Sequence, residues 1–341
     1  MEVMHYVGLD VHKQTISFCV KRPDGRIVSE GAVSANRTAL ERWLGELPQP
    51  WAGALEATLF SGWIYDFLEP HAERLEVAHP QMLRAIVAAK RKNDSLDARM
   101  IADLLRADLI PACYMLPSPL RRLRRVLRYR NLIVREAVRF RNKAAGLLME
   151  VGAEYNKGRL HGRAYFAELL RSLEWVPEEV SELLRITHNQ VLLFQRLQQQ
   201  LLNGLKSRPE LRERVVLLMS IPGVGQVTAL SWALEVGEPS RFRRVAEAVS
   251  YCGLCSAQRS SAGVEHRGPL SKQRNKALQH VLVEAAKLAP RWNLQLAEVH
   301  ARELARGNRN RATLAVARKL VAYLLAVDKS GEPFEPRCRA A

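Results

Sequence analysis

The chain opens on the stretch His5-Tyr6-Val7-Gly8-Leu9-Asp10-Val11, whose alternating and β-rich residues predict a strand. Residues 15–20 repeat this composition, and the run Pro23-Asp24-Gly25 is a turn signal before a further β-rich segment at residues 26–28. We therefore expect the first three strands to form an antiparallel meander, from which the rest of the first domain is built outward.

Helical and strand-like segments alternate after this meander. The predicted helices cover residues 37–45, with Asn36 as N-cap, and residues 61–68, while the predicted strands cover residues 51–56 and 75–78. Strands that alternate with helices indicate an α/β sheet covered by helices. We assign this α/β domain to residues 1–115.

A basic segment at residues 117–143 marks the change to a mainly helical pattern. Arg and Lys fill ten of its positions, Glu136 is its single acid, and apolar residues recur at helical spacing. Like charges at this density repel one another unless a polyanion neutralises them, so this amphipathic helix predicts nucleic-acid binding. The predicted contacts are its first five arginines: Arg121, Arg122, Arg124, Arg125 and Arg128.

The remainder of the chain is also predicted to be helical. We assign residues 116–210 to a middle segment, whose second half forms either a helical hairpin within the chain or a coiled-coil seam between two chains. Residues 211–328 follow as a mainly α C-terminal domain, and residues 329–341 as a disordered tail.

Composition limits the class of protein. The 341 residues include 52 Lys and Arg against 35 acids, a net charge of +17 that favours a nucleic-acid partner. The N-terminus does not resemble a signal peptide, and no apolar run is long enough to span a bilayer, so we expect a cytoplasmic protein without a membrane partner. Five scattered cysteines fit a reducing compartment. Cys252 and Cys255 form a C-x-x-C pair that favours two buried cysteines over half of a zinc site.

Four acids stand where they could hold a metal ion. Asp10 and Glu56 each end a predicted strand, and Asp94 and Asp97 lie three residues apart on one face of a predicted helix start. Acids gathered in this way repel one another without a cation, and oxygen ligands suit Mg²⁺, two of which can bracket a phosphodiester. The alternative is that Asp94 and Asp97 cap the helix and Asp10 belongs to a turn, although Glu56 is a poor lone charge beside Ala and Leu.

Two motifs in the C-terminal domain could meet DNA. Ile221-Pro222-Gly223-Val224-Gly225 resembles the hairpin of a helix-hairpin-helix, in which the backbone amides of Gly223 and Gly225 would face a phosphate; the alternative is an ordinary tight turn between helices. Residues 259–263 form a polar, Gly-containing stretch that we expect to be a loop, and Ser261 in such a loop could attack phosphorus if nearby cations such as Lys272 stabilised the transition state. Most loop serines are turn formers instead.

These pieces, in this order, resemble one family of insertion-sequence transposases, whose members include the invertase that switches pilin genes. The family has an N-terminal Asp-Glu-Asp-Asp domain of Holliday-junction-resolvase type and a C-terminal serine-bearing domain. The resemblance covers about residues 5–325 and is carried by the following motifs: Val7-Gly8-Leu9-Asp10-Val11-His12-Lys13, Glu56-Ala57-Thr58, Asn93-Asp94-Ser95-Leu96-Asp97-Ala98, Ile221-Pro222-Gly223-Val224-Gly225, Tyr251-Cys252-Gly253-Leu254, Ser260-Ser261-Ala262-Gly263 and Leu270-Ser271-Lys272.

The resemblance implies a ribonuclease-H-like first domain, a coiled-coil middle and a mainly helical last domain. It further implies that the four acids bind metal and that Ser261 forms a covalent phosphoserine with DNA. A structured noncoding RNA as guide and a homo-oligomer, dimeric or tetrameric, are implied in the same way. Ala262 and Arg274 depart from glycines usual in the family, and the adjacent Ser260 leaves the nucleophile uncertain by one residue.

Three functions remain open on the sequence alone. The first is a recombinase that uses both serine and metal, and the second is a metal-dependent nuclease or junction resolvase with a structural Ser261. The third is a binding protein without catalysis, whose acids serve as helix caps. The serine segment and the C-terminal domain favour the first over the second, because a minimal resolvase would need neither.

Overall fold

The computed structural model describes residues 3–86, 94–261 and 264–336. The chain forms two compact units, Met1–Ser118 and Pro119–Ala341. The predicted bound of the α/β domain at residue 115 stays a prediction beside this division at residue 118. In the second unit, the expected middle segment and C-terminal domain share one hydrophobic core, to which Leu127 and Leu205 contribute alongside residues of the last helix.

The first unit is built on a five-stranded sheet with the strand order β3-β2-β1-β4-β5. The strands are β1 (His5–Val11), β2 (Thr15–Lys21), β3 (Ile27–Ser34), β4 (Trp51–Glu56) and β5 (Arg74–Ala78). The first three strands pair antiparallel, as predicted, whereas β1 pairs parallel with β4 and β4 with β5. The mixed α/β sheet is thereby confirmed, while the ribonuclease-H-like assignment stays a prediction.

Helices cover both faces of this sheet. They are α1 (Arg37–Glu46), α2 (Ser61–Leu68), α3 (Pro80–Ile86) and α4 (Asp94–Arg106). The Asn36 side chain accepts a hydrogen bond from the amide of Ala39, so the predicted N-cap of α1 is confirmed. Residues of α1 and α2 pack in one core with β1, and residues of α3 and α4 pack in another core on the opposite face of the sheet.

The second unit is mainly helical. Its helices are α5 (Ser118–Glu150), α6 (Arg163–Ser172), α7 (Glu178–Lys206), α8 (Pro209–Met219), α9 (Gln226–Val236), α10 (Val245–Tyr251), α11 (Lys276–Leu288), α12 (Leu294–Ala305) and α13 (Arg309–Ser330). Within the described ranges, no helix has both the length and the apolar composition required to cross a membrane. The mainly α character expected of this part is confirmed.

Helices α5 and α7 pack against each other within the chain. The rings of Phe140 and Phe194 meet edge to face with 5.7 Å between their centroids, and Leu148 shares a buried core with Leu184. A residue near the end of α5 meets a residue near the start of α7, and a residue earlier in α5 meets a residue later in α7. This is the contact pattern of an antiparallel helical hairpin. The intramolecular alternative of the two predictions is therefore the one the structure contains, and a coiled coil between chains stays a prediction.

Two segments differ from the sequence-based expectation. The stretch expected to be a polar loop is a β-hairpin of β6 (Ser256–Ser261) and β7 (Val264–Leu270), which pair antiparallel. Its polar composition concealed the strands, because an isolated two-stranded ribbon has no apolar face to reveal it.

The tail is the second difference. Helix α13 extends to Ser330. Beyond it, the backbone amide of Phe334 donates to Ser220 Oγ at 2.8 Å, and the Phe334 ring contacts the ring of Tyr323. The prediction of a disordered tail is therefore wrong for residues 329–336, where one aromatic residue anchors the chain, and residues 337–341 lie outside the described part.

Candidate active site and nucleic-acid interface

Asp10 and Glu56 lie side by side at the edge of the sheet that is formed by the carboxyl ends of the parallel strands. They occupy the ends of the parallel strands β1 and β4, in the register position that follows the pair Leu9 and Leu55. Side chains alternate along a strand, so both acids lie on the face opposite the core that contains Leu9 and Leu55. Neighbouring strands are about 4.8 Å apart, which places the two carboxylates within reach of a common ligand.

Helix α4 crosses this same face antiparallel to β1. A Cβ on Gly8 would lie 2.1 Å from the carbonyl oxygen of Ala98, so glycine is what lets the helix approach the strand so closely. Toward the end of the helix, Asp103 Oδ2 accepts from Lys21 Nζ at 2.5 Å, and Lys21 pairs with Tyr6 near the start of β1. The first turn of α4 therefore lies toward the end of β1.

Asp94 and Asp97 are in this first turn of α4. The direction of α4 brings both residues toward the edge that carries Asp10 and Glu56. Asp97 is half-buried, whereas the side chain of Asp94 lies outside the described part of the chain. The course of the backbone thus directs the helix start that carries Asp94 and Asp97 toward the strand ends that carry Asp10 and Glu56.

The carboxylate of Asp10 is only 6% exposed, and its Oδ2 lies 3.0 Å from Nε2 of His12. Among the described side chains, no three acids, histidines or cysteines stand close enough together to form a ready metal site. The donor set itself, carboxylates at the edge of a sheet, has the hard oxygen chemistry that Mg²⁺ prefers. The residues present therefore fit such an ion by chemistry, with Asp10 held by His12.

The arginines of α5 divide into two groups. Arg122 and Arg125 are exposed, as a surface that binds a polyanion requires. Arg128 instead binds the buried carboxylate of Glu235 on α9, with Nε and Nη2 donating at 2.8 and 2.6 Å. Because both hydrogen bonds come from the guanidinium of Arg128, that residue links α5 to α9 in addition to any contact with nucleic acid. Arg121 and Arg124 are half-buried.

Glu235 is the centre of a polar network beneath the β6–β7 hairpin. Asn275 Nδ2 donates to its carboxylate at 2.8 Å, and the hydroxyl of Tyr251 donates to its backbone carbonyl at 2.7 Å. The backbone amide of Asn275 also donates to the carbonyl of Tyr251 at 3.0 Å. Beside it, at the open end of the hairpin, the amide of Ser271 donates to the carbonyl of Cys255 at 3.0 Å. The network therefore fixes the base of the hairpin that carries Ser261.

The titration of this network reflects burial and pairing. Burial alone would raise the pKa of Glu235, but hydrogen bonds from Arg128 and Asn275 and the charges of Arg128 and Arg124 outweigh it, so its pKa lies below the ordinary value. The hydrogen bond with Glu235 in turn raises the pKa of Arg128. Burial, together with the charge of Arg128, lowers the pKa of Arg124, and no described residue is hydrogen-bonded to that guanidinium.

Sequence analysis did not identify Glu235, Tyr251 or Asn275. A signal was present, because Glu235 is a single acid within the apolar run Ser231-Trp232-Ala233-Leu234-Glu235-Val236. A helix that is apolar on all sides is buried, and a carboxylate inside it requires a partner. That partner stands in a segment more than a hundred residues earlier, so no local pattern could name it.

The glycine turn joins α8 to α9 and is shaped by packing at one of its glycines. Gly223 has a φ of +92°, and a Cβ there would lie 2.7 Å from Cβ of Ala289. Gly225 is the N-cap of α9 and has no heavy atom within 4 Å of an added Cβ. Gly223 is therefore explained by internal packing, while Gly225 is open to the surroundings at a helix N-terminus.

The predicted nucleophile lies at the tip of the β6–β7 hairpin. Ser261 is the last residue of β6 and pairs with Val264 of β7. The side chains of residues 258–267, which include Ser260 and Ser261, lie outside the described part. Lys272 follows the hairpin and is exposed.

Of the C-x-x-C pair, Cys252 is buried and Cys255 is half-buried. Burial raises the pKa of the Cys252 thiol, which keeps it protonated and favours a role as a small core residue.

Comparison with known proteins places this chain among the transposases. A family model described as a transposase, the DEDD transposase of IS110, matches residues 7–152, and a model described as the transposase IS116/IS110/IS902 family matches residues 215–301. The first match covers the edge acids and the whole of α5, and the second covers Glu235, Tyr251, Asn275 and the β6–β7 hairpin. The chain belongs to the IS110/IS116 family of insertion-sequence transposases.

Similar proteins span nearly the full length. The transposase for insertion sequence element IS1328 of Yersinia enterocolitica is 24% identical over 96% of this chain and 98% of its own length. The transposase for insertion sequence element IS1111A of Coxiella burnetii is 26% identical over 78% of this chain and 73% of its own length. A probable family 20 transposase of Pseudomonas aeruginosa is 22% identical, with 84% of each chain covered.

Proposed function

We propose that this transposase cuts and rejoins DNA with two sets of groups, the acids Asp10, Glu56, Asp94 and Asp97 and the nucleophile Ser261. The observation that carries the proposal is the antiparallel crossing of α4 over Gly8, which directs the first turn of α4 toward the ends of β1 and β4. Acids from two strands and a helix would have no reason to converge on one edge if each served only as a local cap.

The four carboxylates are the groups that would hold Mg²⁺. When bound, this ion would neutralise charge on the phosphate and stabilise the developing oxyanion. His12, whose Nε2 lies 3.0 Å from Oδ2 of Asp10, contributes to the orientation of that carboxylate. The role of the acids is to hold the ion in one place, because each acid is positioned by a strand end or by the first turn of a helix.

Ser261 is proposed to perform the covalent step. Its Oγ attacks phosphorus, the Oγ–P bond forms, one P–O bond of the DNA backbone breaks, and the proton lost by the serine balances the proton gained by the leaving sugar oxygen. In the reverse step, a sugar hydroxyl attacks the phosphoserine, which restores the strand and returns a proton to Oγ. No external energy source is required, because the phosphodiester is exchanged rather than hydrolysed.

The two sets of groups belong to different compact units of the chain. They act on one phosphodiester only if the units, from one chain or from two, meet on the DNA. A homo-oligomer in the cytoplasm fits this requirement, and the family resemblance adds a structured noncoding RNA as guide. The exposed Arg122 and Arg125 and the unpaired Arg124 supply positive charge for either nucleic acid.

The test is a protein–DNA adduct that survives denaturation. The protein is incubated with Mg²⁺, DNA carrying the ends of its element and a candidate guide RNA, and the adduct is separated on a denaturing gel. Ser261→Ala should abolish the adduct, whereas the matched change Ser260→Ala should leave it. Loss in Ser260→Ala alone would refute Ser261 as nucleophile, and strand cleavage without any adduct would favour the second candidate, a metal-dependent nuclease.

A further inference from the structure

Near the end of the α5–α7 hairpin where α5 ends and α7 begins, two buried nitrogen atoms have no hydrogen-bond partner among the described residues. They are Nε of Arg141 on α5 and Nδ1 of His188 on α7. The His188 residue is only 6% exposed. A buried polar atom without a partner costs free energy, so a ligand that supplied hydrogen-bond acceptors to these two nitrogens would be favoured in this region.

Both residues border one small hydrophobic core. The ring of His188 stacks on that of Phe166, with 3.8 Å between centroids and an interplanar angle of 2°. Phe166 shares this core with Ala144 and Leu160. Arg141 lies one helical turn before Ala144, and His161 directly follows Leu160, so three different segments bring Arg141, His161 and His188 to the border of the same core.

The charges at this border are all positive. Burial lowers the pKa of His161, and the nearby Arg141 and His188 lower it further. Burial lowers the pKa of His188, and Arg163 on α6 adds to the effect. No carboxylate of the described residues acts on either imidazole. The connecting stretch, residues 157–163, adds Lys157 and Arg159 and contains no acid.

We propose that Arg141, His161 and His188 form a phosphate-binding site, which takes a phosphodiester group of a nucleic-acid backbone. A phosphate oxygen accepts hydrogen bonds from a guanidinium and from an imidazolium, so a phosphate at this border would supply the kind of acceptor that these nitrogens lack among the described residues. It would also supply the negative charge that this border lacks. The stack on Phe166 holds His188 in a fixed orientation for that contact. This site goes beyond the proposed function, which places no contact at this part of the hairpin.

The first experiment measures binding of the full chain to a short single-stranded oligonucleotide by fluorescence anisotropy. Arg141→Gln should raise the Kd about tenfold, the loss of one charge-assisted hydrogen bond pair. The matched control is Arg139→Gln, which removes the same charge from the same helix at a side chain that is 77% exposed and paired with Glu136. Equal losses in the two variants would overturn the proposal, because only general electrostatics would then be at work.

The second experiment uses pH. The pKa values of His161 and His188 are lowered in the free protein, and a bound phosphate would favour the charged form of both imidazoles. The affinity for the oligonucleotide should therefore rise as the pH falls from about 8 to about 6. The rise should be about tenfold per pH unit for each proton taken up on binding. His188→Phe keeps an aromatic ring against Phe166 and should flatten this dependence. An unchanged pH profile in a folded His188→Phe protein would overturn the role of His188.

Inorganic phosphate distinguishes the two sources of the group. If inorganic phosphate competes with the oligonucleotide for the wild type but not for Arg141→Gln, the site takes backbone phosphate. If only binding of inorganic phosphate depends on Arg141, the site takes a free anion, and if neither ligand depends on Arg141, there is no phosphate site. These readouts need no strand transfer, so their failure is separate from failure of the proposed chemistry.

Discussion

Arg128 on α5 and Glu235 on α9 form a bidentate pair with donor–acceptor distances of 2.8 and 2.6 Å, and the Glu235 residue is 2% exposed. In a helix that the sequence presents as a row of equivalent cations, the guanidinium of Arg128 is therefore paired with a buried carboxylate of a second helix. The pair joins the cationic helix to the base of the hairpin that carries Ser261, through Asn275 and Tyr251.

Glu235→Gln should lower the free energy of unfolding by about 2 kcal/mol, because it removes a buried charge from a paired guanidinium. The loss is smaller than for a fully buried pair, since the side chain of Arg128 is half exposed and regains water. Chemical denaturation measures the change. The control is Glu247→Gln, which removes the charge of a partly exposed carboxylate that pairs with the N-cap residue Arg244 and accepts from the amide of Arg243. It should have a smaller effect, because Gln can still accept that hydrogen bond.

Acid should weaken the second unit through the same residue. The pKa of Glu235 is below its ordinary value of 4.5, so its contribution to stability is complete above that pH and is lost as the pH falls through the lowered value. Unfolding curves between about pH 6 and pH 3 should therefore fall more steeply for the wild type than for Glu235→Gln. Parallel curves would show that the carboxylate is not held ionised by Arg128.

Gly8→Ala should destabilise the first unit by about 3 kcal/mol, because the new Cβ would meet backbone atoms of α4 that cannot move aside independently. Gly45→Ala adds the same methyl group within α1, where nothing lies within 4 Å, and should raise stability slightly. Thermal unfolding of both variants tests this contrast. If Gly8→Ala is as stable as the wild type, α4 does not press on β1 at this point.

Asp10→Asn should reduce DNA strand cleavage at least about 100-fold while binding is retained, since the change removes a charge that would hold the cation and leaves the side-chain shape intact. Asp24→Asn, in the exposed turn between β2 and β3, is a control that should leave cleavage unchanged. Both rates are measured on radiolabelled DNA with Mg²⁺ in excess. Full cleavage by Asp10→Asn would remove the edge acids from the mechanism.

The glycine turn offers a pair of substitutions with opposite expectations. Gly223→Ala should cost about 2–4 kcal/mol of stability, because φ is positive and the added carbon collides with Ala289. Gly225→Ala should leave stability nearly unchanged, so any loss of DNA affinity in that variant reports on contact with nucleic acid at the start of α9. Denaturation and anisotropy on the same preparations separate the two effects, and a stable Gly223→Ala protein would contradict the packing role.

The sequence predicted the first unit well because its signals are local. The bounds of β4 and α2 agree with the prediction residue for residue, and the N-cap Asn36 is where Asn is expected. The strand ends and the helix start also marked Asp10, Glu56, Asp94 and Asp97, although their approach to one edge depends on the direction of α4. That direction follows from a close contact at Gly8, which no periodicity reveals.

The second unit was harder to predict because its determinants are distant in sequence. The polar strands of the β6–β7 hairpin lack an apolar face, and the tail is anchored by contacts of Phe334 with Tyr323 and Ser220. The Glu235 network joins residues of α5, α9 and α10 and the N-cap residue of α11. Such contacts are properties of the packed chain, and only the lone acid in an apolar helix pointed to them beforehand.

Helix α5 is 33 residues long without interruption. At 1.5 Å per residue it extends for about 50 Å, and the distance along it from Arg124 to Arg141 is about 25 Å, or roughly seven steps of a DNA strand. A continuous helix buttressed by α7 resists bending, so contacts at these two arginines would stand at a constant separation. On a bound strand of nucleic acid, these two arginines would therefore contact phosphates about seven nucleotides apart.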